Sequence, residues 1–292
     1  MRAPGVAIRG MNNPPLPLLI AGANGRVGRL LAAAFRQARA RVALAHRGAD
    51  SLDTGLPHLT WVPLDGASPL VEFCARFGAP AALVMLAGVT PGPGAKLENN
   101  TALGLAAIAA ARTAGIGRVL LASSSAVYGS GRAAPWHEED TSLPTNDYGR
   151  AKRAMEVACA APGVTMLRIG NVAGADALLT NPRRPLLLDR FADGTGPVRS
   201  YIGPQTLARV LTDLASGPAL PPVLNIAAPV PLDMADLAAA AGLPVVRQPA
   251  PTSAIARLTL DTTRLETLIR FAHSDSDAAA MVAQWRACKE PG

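Results

Sequence analysis

The sequence predicts an α/β fold, a doubly wound parallel sheet with a smaller mixed α/β lobe. Short apolar runs of strand length alternate with helix-like segments across residues 16–228. The first run enters a glycine-rich turn and then a helix. A later run ends in hydroxyl side chains, as expected where a buried strand delivers polar groups to the carboxyl edge of a sheet. We place the sheet domain at residues 16–170, completed by 204–228, and the lobe at 171–203 and 229–292.

Composition indicates a globular protein with a full core. The chain has 292 residues, of which 49% are hydrophobic and 17% charged, which excludes a disordered chain. The net charge of +7 would suit a nucleic-acid partner. However, the basic residues are scattered and aromatic residues make up only 4%, so we predict no nucleic-acid binding. The phosphates of a cofactor or substrate would use part of the positive charge.

The cysteines and histidines predict neither disulfides nor a metal site. Cys74, Cys159 and Cys288 lie far apart, and an odd number without a CxxC pair suits a reducing compartment. The four histidines show no ligand spacing. No apolar run is long enough to span a membrane, and residues 1–17 do not resemble a secretion signal. We therefore expect a loose amino-terminal tail, no membrane partner and a cytoplasmic location.

The first strand and its turn predict a dinucleotide site. Residues 16–21 form an apolar run that leads into a GxxGxxG turn and a helix. Glycines there let backbone amides at the helix start approach a pyrophosphate, where the helix dipole also favours negative charge. The spacing departs from the general GxGxxG pattern. The predicted contacts are Gly22, Asn24, Gly25, Arg26, Val27 and Gly28.

The end of the second strand, at residues 41–47, bears on cofactor choice. An NAD-selective fold places an acidic residue here to hold the ribose 2′-hydroxyl, whereas this chain has Arg47. Arg47, helped by Arg26, can pair with a 2′-phosphate and favours NADP over NAD. In the alternative, Arg47 is a solvated surface residue and Asp50 or Asp53 reaches the ribose, which would favour NAD.

A tyrosine and a lysine four residues apart, Tyr148 and Lys152, predict proton-transfer chemistry. On a helix that spacing puts both on one face. A nearby ammonium favours the phenolate and lowers the tyrosine pKa, which makes the hydroxyl usable as an acid or base. The spacing also arises by chance, but the fifth strand, at residues 118–123, ends upstream in a run of serines that includes Ser124.

The stretch Ser-Ser-Ser-Ala-Val-Tyr-Gly, followed by Pro144-x-x-x-Tyr148-Gly-x-x-Lys152-x-x-x-Glu156, resembles the extended short-chain dehydrogenase/reductases, the family of NAD-dependent epimerases and dehydratases. The resemblance implies a Rossmann fold and a catalytic triad of Ser124, Tyr148 and Lys152. Ser124 would hold the carbonyl oxygen and Tyr148 would exchange its proton. Lys152 would lower the tyrosine pKa and hold the nicotinamide ribose.

The same resemblance implies further cofactor contacts. A third strand at residues 59–64 would bring Leu64 and Asp65 to the adenine, and a fourth at 81–87 would let the cofactor backbone pass its small carboxyl-terminal residues, Ala87 and Gly88. Asn100 opens a long Ala-rich helix. In relatives the matching asparagine helps to organise the active site, and here it could equally cap the helix.

The implied substrate contacts are Ser124, Ser125, Asn171 and Arg199. Arg199 matches an arginine that grips the phosphates of a sugar nucleotide in UDP-hexose 4-epimerases, although the residues after it depart from their pattern. The Ser-Ser-Ala order lacks the Asp-Glu pair of sugar-nucleotide dehydratases and argues against dehydration.

Three functions stay open. Arg199 favours an epimerase that retains its cofactor; Arg47 and the short lobe favour an NADPH-dependent reductase of a small carbonyl compound; the third is a regulator that binds NAD(P) without catalysis. A homodimer is also left open.

In the carboxyl-terminal part of the chain, we predict helices at residues 204–215, 233–241, 261–270 and 275–288, with a last strand at 223–227.

Overall fold

The computed structural model describes residues 16–48, 55–181 and 184–289. Most of the expected amino-terminal tail, and the alternative ribose partners Asp50 and Asp53, lie outside these residues. Within them, every helix is too short or too polar to be a transmembrane span.

The described residues contain the following strands and helices. The strands are β1 (Leu18–Ala21), β2 (Val42–His46), β3 (His58–Thr60), β4 (Ala82–Met85), β5 (Val119–Ser124), β6 (Val164–Ile169), β7 (Asn171–Val172), β8 (Leu186–Arg190), β9 (Val198–Arg199), β10 (Tyr201–Ile202), β11 (Val223–Ile226), β12 (Leu232–Asp233), β13 (Val245–Pro249) and β14 (Arg257–Leu258). The helices are α1 (Arg26–Gln37), α2 (Ser68–Phe77), α3 (Asn99–Thr113), α4 (Asp147–Ala158), α5 (Ala177–Thr180), α6 (Pro204–Ser216), α7 (Met234–Ala240), α8 (Thr263–Glu266) and α9 (Ala278–Cys288).

Within the described residues, seven strands form one sheet in the order β11-β6-β5-β4-β1-β2-β3. Every pairing in it is parallel. The predicted doubly wound α/β fold is therefore confirmed. Strand order reverses between β1 and β4, and in such sheets the crevice at the carboxyl ends beside this reversal is where ligands bind.

Helices cover both faces of the sheet because its strands are apolar on both sides. In β1, Leu18 and Ile20 belong to a core shared with α1, α6 and α9. Leu19 and Ala21 belong to a second core, shared with α2, α3 and α4. The continuous apolar runs in the sequence follow from this double burial.

After β6, the part of the chain that the structure describes forms three small sheets, β10-β7, β12-β9-β14 and β13-β8. The last helix, α9, packs against α1 and α6 on one face of the large sheet. Part of the predicted lobe range, 229–292, thus joins the helical layer of the sheet domain. The domain boundaries stay a prediction.

Three predicted elements differ from the structure. The third strand ends at Thr60, because Pro63 starts a 3₁₀ turn over Pro63–Asp65 and the Trp61 indole donates to the Gly66 carbonyl at 2.9 Å. The helix predicted at 261–270 is only the four-residue α8.

The helix predicted from residue 275 begins at Ala278, where the Asp277 side chain caps it by accepting from the Ala280 amide at 2.7 Å. Residues His273–Ser276 form a separate 3₁₀ turn.

Candidate functional site

A cavity of about 700 Å³ opens at the carboxyl ends of the central strands. Its lining joins the glycine-rich turn, the ends of β2, β4, β5 and β6, and one face of α4. The lining residues are Gly22, Asn24, Gly25, Arg26, Val27, Gly28, His46, Arg47, Gly48, Pro63, Leu86, Ala87, Gly88, Val89, Thr90, Leu103, Ala122, Ser123, Ser124, Tyr148, Lys152, Ile169, Gly170, Asn171, Val172, Ala175 and Asp176.

Each glycine of the turn lacks a side chain for a different physical reason. Gly22 has φ +94°, and a Cβ there would come within 2.5 Å of the Ala87 amide nitrogen. A Cβ at Gly28 would collide with the Gly22 carbonyl oxygen. Gly25 is exposed, so its missing side chain leaves room in front of the α1 amino terminus, whose first turn holds no acidic residue. This cradle fits a pyrophosphate held by backbone amides.

Beyond β2, the exposed Arg47 lines the cavity beside Gly48. His46 is buried and lines it too, and within the described part of the chain its Nε2 atom makes no hydrogen bond. The sequence analysis missed His46, although its position at the carboxyl end of a strand could have indicated it.

The predicted adenine contacts shift by one residue. Pro63 lines the cavity, whereas Leu64 is 53% exposed and neither it nor Asp65 is among the lining residues. The reason is the 3₁₀ turn, which replaces the carboxyl end of the predicted strand.

The three predicted catalytic residues converge on the cavity. Ser124 is the last residue of β5, and Tyr148 and Lys152 lie one helical turn apart on α4. The start of α4 is fixed by Asn146, whose side chain accepts from the Gly149 amide at 2.8 Å. Ser124 accepts from the Ala126 amide at 3.2 Å and also contacts the Tyr148 hydroxyl by a hydrogen bond.

Burial raises the pKa of the Tyr148 phenol, while the Ser124 hydrogen bond and the positive charge of Arg26 oppose that rise. The sequence analysis expected Lys152 to lower the Tyr148 pKa, whereas Ser124 and Arg26 are the groups that lower it in the structure. The Lys152 ammonium donates to the Ala122 carbonyl at 2.8 Å and lies 6.0 Å from the centre of the Tyr148 ring. Burial lowers the pKa of Lys152 to about 8, against the raising effect of Glu156.

Gly88, just after β4, lies close to the side chains of Asn100 and Lys152. A Cβ at Gly88 would lie 2.7 Å from Asn100 Oδ1 and 3.2 Å from Lys152 Nζ. Asn100 is buried and does not line the cavity; its side chain accepts from the Val89 amide at 3.1 Å and donates to the Val89 and Leu97 carbonyls. Asn100 therefore shapes the cavity wall by holding the loop after β4.

A buried ion pair anchors α4 to the sheet. Glu156 accepts from Arg168 Nε at 3.0 Å and Nη2 at 2.8 Å, and both residues are 3% exposed. The Ser123 hydroxyl donates to the same carboxylate at 2.6 Å. Burial would lower the pKa of Arg168, but Glu156 outweighs it and raises that pKa. The pair joins β5, α4 and β6 behind the catalytic residues.

The exit of β6 carries a second polar group. Asn171 and Asp176 both line the cavity, and both hydrogen-bond the hydroxyl of the fully buried Tyr201. The sequence analysis missed Asp176. The pairing of β7 with β10 brings the Tyr201 hydroxyl to this carboxylate and to Asn171, and no spacing in the sequence indicates that contact.

Two predicted substrate contacts lie outside the cavity lining. The Arg199 guanidinium donates to the carbonyls of Val198, Ile255 and Ala256 at 2.8, 2.7 and 3.2 Å. Ser125 starts the 3₁₀ turn Ser125–Tyr128 that follows β5. Neither residue reaches the site in this structure.

Away from the cavity, one nitrogen of His137 and one carboxylate oxygen each of Glu138 and Glu139 lie within 4.8 Å of one another. Arg264 pairs with Glu139 and lies 3.8 Å from Glu138. The guanidinium therefore already supplies the positive charge that a metal ion would bring.

Fold and site together define a dinucleotide-binding protein of the Rossmann type. The sequence profile of the NAD dependent epimerase/dehydratase family matches residues 18–200, more than half of the chain. The protein belongs to this family, as its sequence predicted.

Two curated relatives are similar over part of their length. A UDP-glucose 4-epimerase of Azospirillum brasilense is 42% identical over 85 residues, 27% of this chain and 24% of the relative. A dTDP-4-dehydrorhamnose reductase of Burkholderia thailandensis is 31% identical over 148 residues, 51% of this chain and 47% of the relative. The chain thus matches about a quarter to a half of these proteins.

Solved structures show the same fold over nearly the whole chain. MoeE5 in complex with UDP-glucuronic acid and NAD superposes with a TM-score of 0.70 at 24% identity, covering 92% of this chain and 98% of MoeE5. An NAD-dependent NDP-hexosamine 5,6-dehydratase, TunA, gives 0.68 at 20% identity, covering 92% and 97%. Because a dehydratase shares the fold, the prediction against dehydration is not confirmed.

Proposed function

We propose that the protein catalyses hydride transfer between a nicotinamide cofactor and a hydroxyl-bearing or carbonyl-bearing carbon of a sugar nucleotide, as an epimerase. One observation carries the proposal: Ser124, Tyr148 and Lys152 line the same cavity as the glycine-rich turn. The relatives, UDP-glucose 4-epimerases among them, support a sugar nucleotide as the substrate.

The residues divide the chemistry as follows. When bound, the nicotinamide supplies the hydride acceptor or donor. The Ser124 hydroxyl holds the reacting oxygen, and Tyr148 takes its proton on oxidation and returns it on reduction. Arg26 and Ser124 favour the phenolate that this exchange needs. Lys152 would hold the nicotinamide ribose from its buried position beside the Ala122 carbonyl, to which it donates.

For the cofactor, we propose NADP. The support is Arg47, an exposed cation lining the cavity at the end of β2, where a carboxylate would repel a 2′-phosphate. The fold-related proteins above bind NAD, which is the competing outcome.

Reduction of a small carbonyl compound is the second candidate. It is favoured by Arg199, whose guanidinium lies outside the cavity lining and donates to three backbone carbonyls. An arginine held there does not reach the cavity in which a sugar nucleotide would bind.

Tyr148→Phe tests the proposal. It should remove nearly all turnover and leave NADPH affinity close to wild type, because the hydroxyl acts on the substrate. Epimerisation regenerates its cofactor, so turnover of UDP-glucose is followed by chromatography of the sugar nucleotide and its 4-epimer. Turnover of a small aldehyde is followed by nicotinamide absorbance, and fluorescence titration gives cofactor affinity. Activity within tenfold of wild type would refute the role of Tyr148.

The nucleotide extracted from the purified protein separates the functions. A tightly bound, stoichiometric cofactor supports the epimerase, whereas an empty site that fills with NADPH supports the reductase. A protein that binds cofactor but turns over neither class of substrate would be a regulator.

A further inference from the structure

Asp176 is the only carboxylate among the described residues that line the cavity. The charged side chains on the other walls are cations, Arg26, Arg47 and Lys152. Within the described ranges Asp176 has no ion-pair partner: its side chain accepts from Tyr201 Oη at 2.9 Å and from the Leu179 amide at 3.4 Å.

The sheet order places Asp176 on the side away from the cofactor turn. The glycine turn follows β1, and β4 separates β1 from β5. Ser124 pairs in register with Ile169 of β6, and Asp176 follows the exit of that strand. Asp176 therefore lies past Ser124, where the part of a substrate beyond the reacting carbon would extend.

The surroundings of Asp176 form a built polar site. Tyr201 is fully buried, and its hydroxyl bonds both Asp176 and the side chain of Asn171. The phenol and the Leu179 amide donate to it, and the backbone amides of Gly174 and Leu178 also interact with it. All of these donors are neutral, so they hold the carboxylate at the cavity wall without cancelling its charge. Burial raises the pKa of this carboxyl, and the bond from Tyr201 opposes the rise.

We propose that Asp176, held by Tyr201 and Asn171, is a substrate subsite that accepts the hydroxyl or ammonium group of a neutral or amino sugar and rejects a sugar that carries a carboxylate. The inference rests on the proposed hydride-transfer function and adds the class of sugar. A sugar hydroxyl or ammonium group donates to the carboxylate in a charge-assisted bond. A second carboxylate leaves two like charges several ångströms apart in a partly dry cavity, where an effective dielectric constant of about 20 makes repulsion substantial.

Three UDP sugars that differ in one group test the subsite. UDP-glucose, UDP-glucosamine and UDP-glucuronic acid are titrated by calorimetry into the protein saturated with NADPH. Wild type should bind UDP-glucuronic acid at least about tenfold more weakly than UDP-glucose. Asp176→Asn should reduce that gap to less than about threefold and weaken UDP-glucosamine, because the amide keeps the shape and removes the charge.

Asp213→Asn is the matched control, since Asp213 is a half-exposed carboxylate on α6 with only a 3.8 Å ion pair to Arg209. It should keep the wild-type gap. Equal wild-type affinity for the glucose and glucuronic acid nucleotides overturns the inference, and so does a gap that Asp176→Asn leaves unchanged. The wild-type comparison decides even if Asp176→Asn does not fold.

The two levels of proposal fail separately. Absence of NADPH and NADH binding would overturn the proposed function itself. Binding of the cofactor with no affinity for any of the three UDP sugars would overturn the subsite and leave the reductase of a small carbonyl compound.

Discussion

Replacing Lys152 by Met should stabilise the protein without cofactor while abolishing its activity. The buried ammonium is 5% exposed, and burial lowers its pKa from the ordinary 10.5 to about 8. A pKa difference of one unit corresponds to about 1.4 kcal/mol. Keeping this ammonium charged therefore costs the folded state about 3 kcal/mol at neutral pH. Loss of the charge-assisted hydrogen bond to the Ala122 carbonyl offsets about 2 kcal/mol. The expected net gain in the free energy of unfolding is about 1 kcal/mol at pH 7.

The pH dependence of this gain identifies its origin. Between about pH 8 and 10.5 the unfolded wild type binds more protons at Lys152 than the folded protein does, so wild-type stability rises with pH in that window. The advantage of Lys152→Met is therefore complete below pH 8 and shrinks toward pH 10.5. Urea unfolding of both proteins at several pH values measures it, and differences between them cancel the titration of other groups.

The matched control is Lys96→Met, the same substitution at an exposed lysine, which should change stability little. A Lys152→Met protein that is less stable than wild type at pH 7 would refute the reasoning. A gain that does not depend on pH would show that packing, and not the cost of a buried charge, explains it.

Two further predictions concern the buried ion pair and the cofactor. Glu156→Gln leaves the Arg168 guanidinium buried without its counter-charge and should lower the free energy of unfolding by about 3–5 kcal/mol in urea; Arg150→Gln, at an exposed pair, should cost less than about 1 kcal/mol, and a similar loss in both variants would contradict the argument. Arg47→Asp should reverse a preference for NADPH over NADH in fluorescence titrations, and added salt should weaken that preference in wild type because Arg47 is exposed. An unchanged affinity ratio would return NAD to first place.

The large sheet was predictable because each of its strands is a short apolar run. Two of these runs have a second distinguishing feature: one leads into the glycine-rich turn and another ends in serines. The third strand was predicted too long because Trp61 and Pro63 look like strand residues. Only the structure shows the indole bonded to the Gly66 carbonyl and the chain turning there.

The carboxyl-terminal helices were less predictable because local polar bonds end them. The predicted helix at 261–270 has suitably spaced apolar residues, Leu265 and Ile269 among them, and both are buried. However, the Thr267 hydroxyl donates to the Arg264 carbonyl at 2.7 Å, which competes with helical bonding directly after α8. Apolar spacing reports which face is buried, and it does not report where such competition stops the helix.

For the site, spacing predicted which residues meet on α4, and it did not predict which charges act on them. Tyr148 and Lys152 share a helix face as expected, yet the positive charge opposing the rise in the Tyr148 pKa belongs to Arg26, at the start of α1. Tyr201, which bonds Asn171 and Asp176, comes to the exit of β6 only because β10 pairs with β7. Local periodicity carries no information about such contacts.

The position of Tyr148 relative to Ser124 is set by backbone packing. Gly149, the residue after Tyr148, lies against the turn that follows β5, and a Cβ there would collide with the Ala126 carbonyl oxygen. The Ser124 hydroxyl accepts from the amide of the same Ala126. The serine and the start of α4 therefore both contact the backbone turn at Ala126. The Glu156 pair fixes the other end of the helix to β6. Backbone contacts and a buried ion pair are more rigid than side-chain rotamers. The Ser124 and Tyr148 hydroxyls are therefore held in fixed relative positions before any ligand enters the cavity.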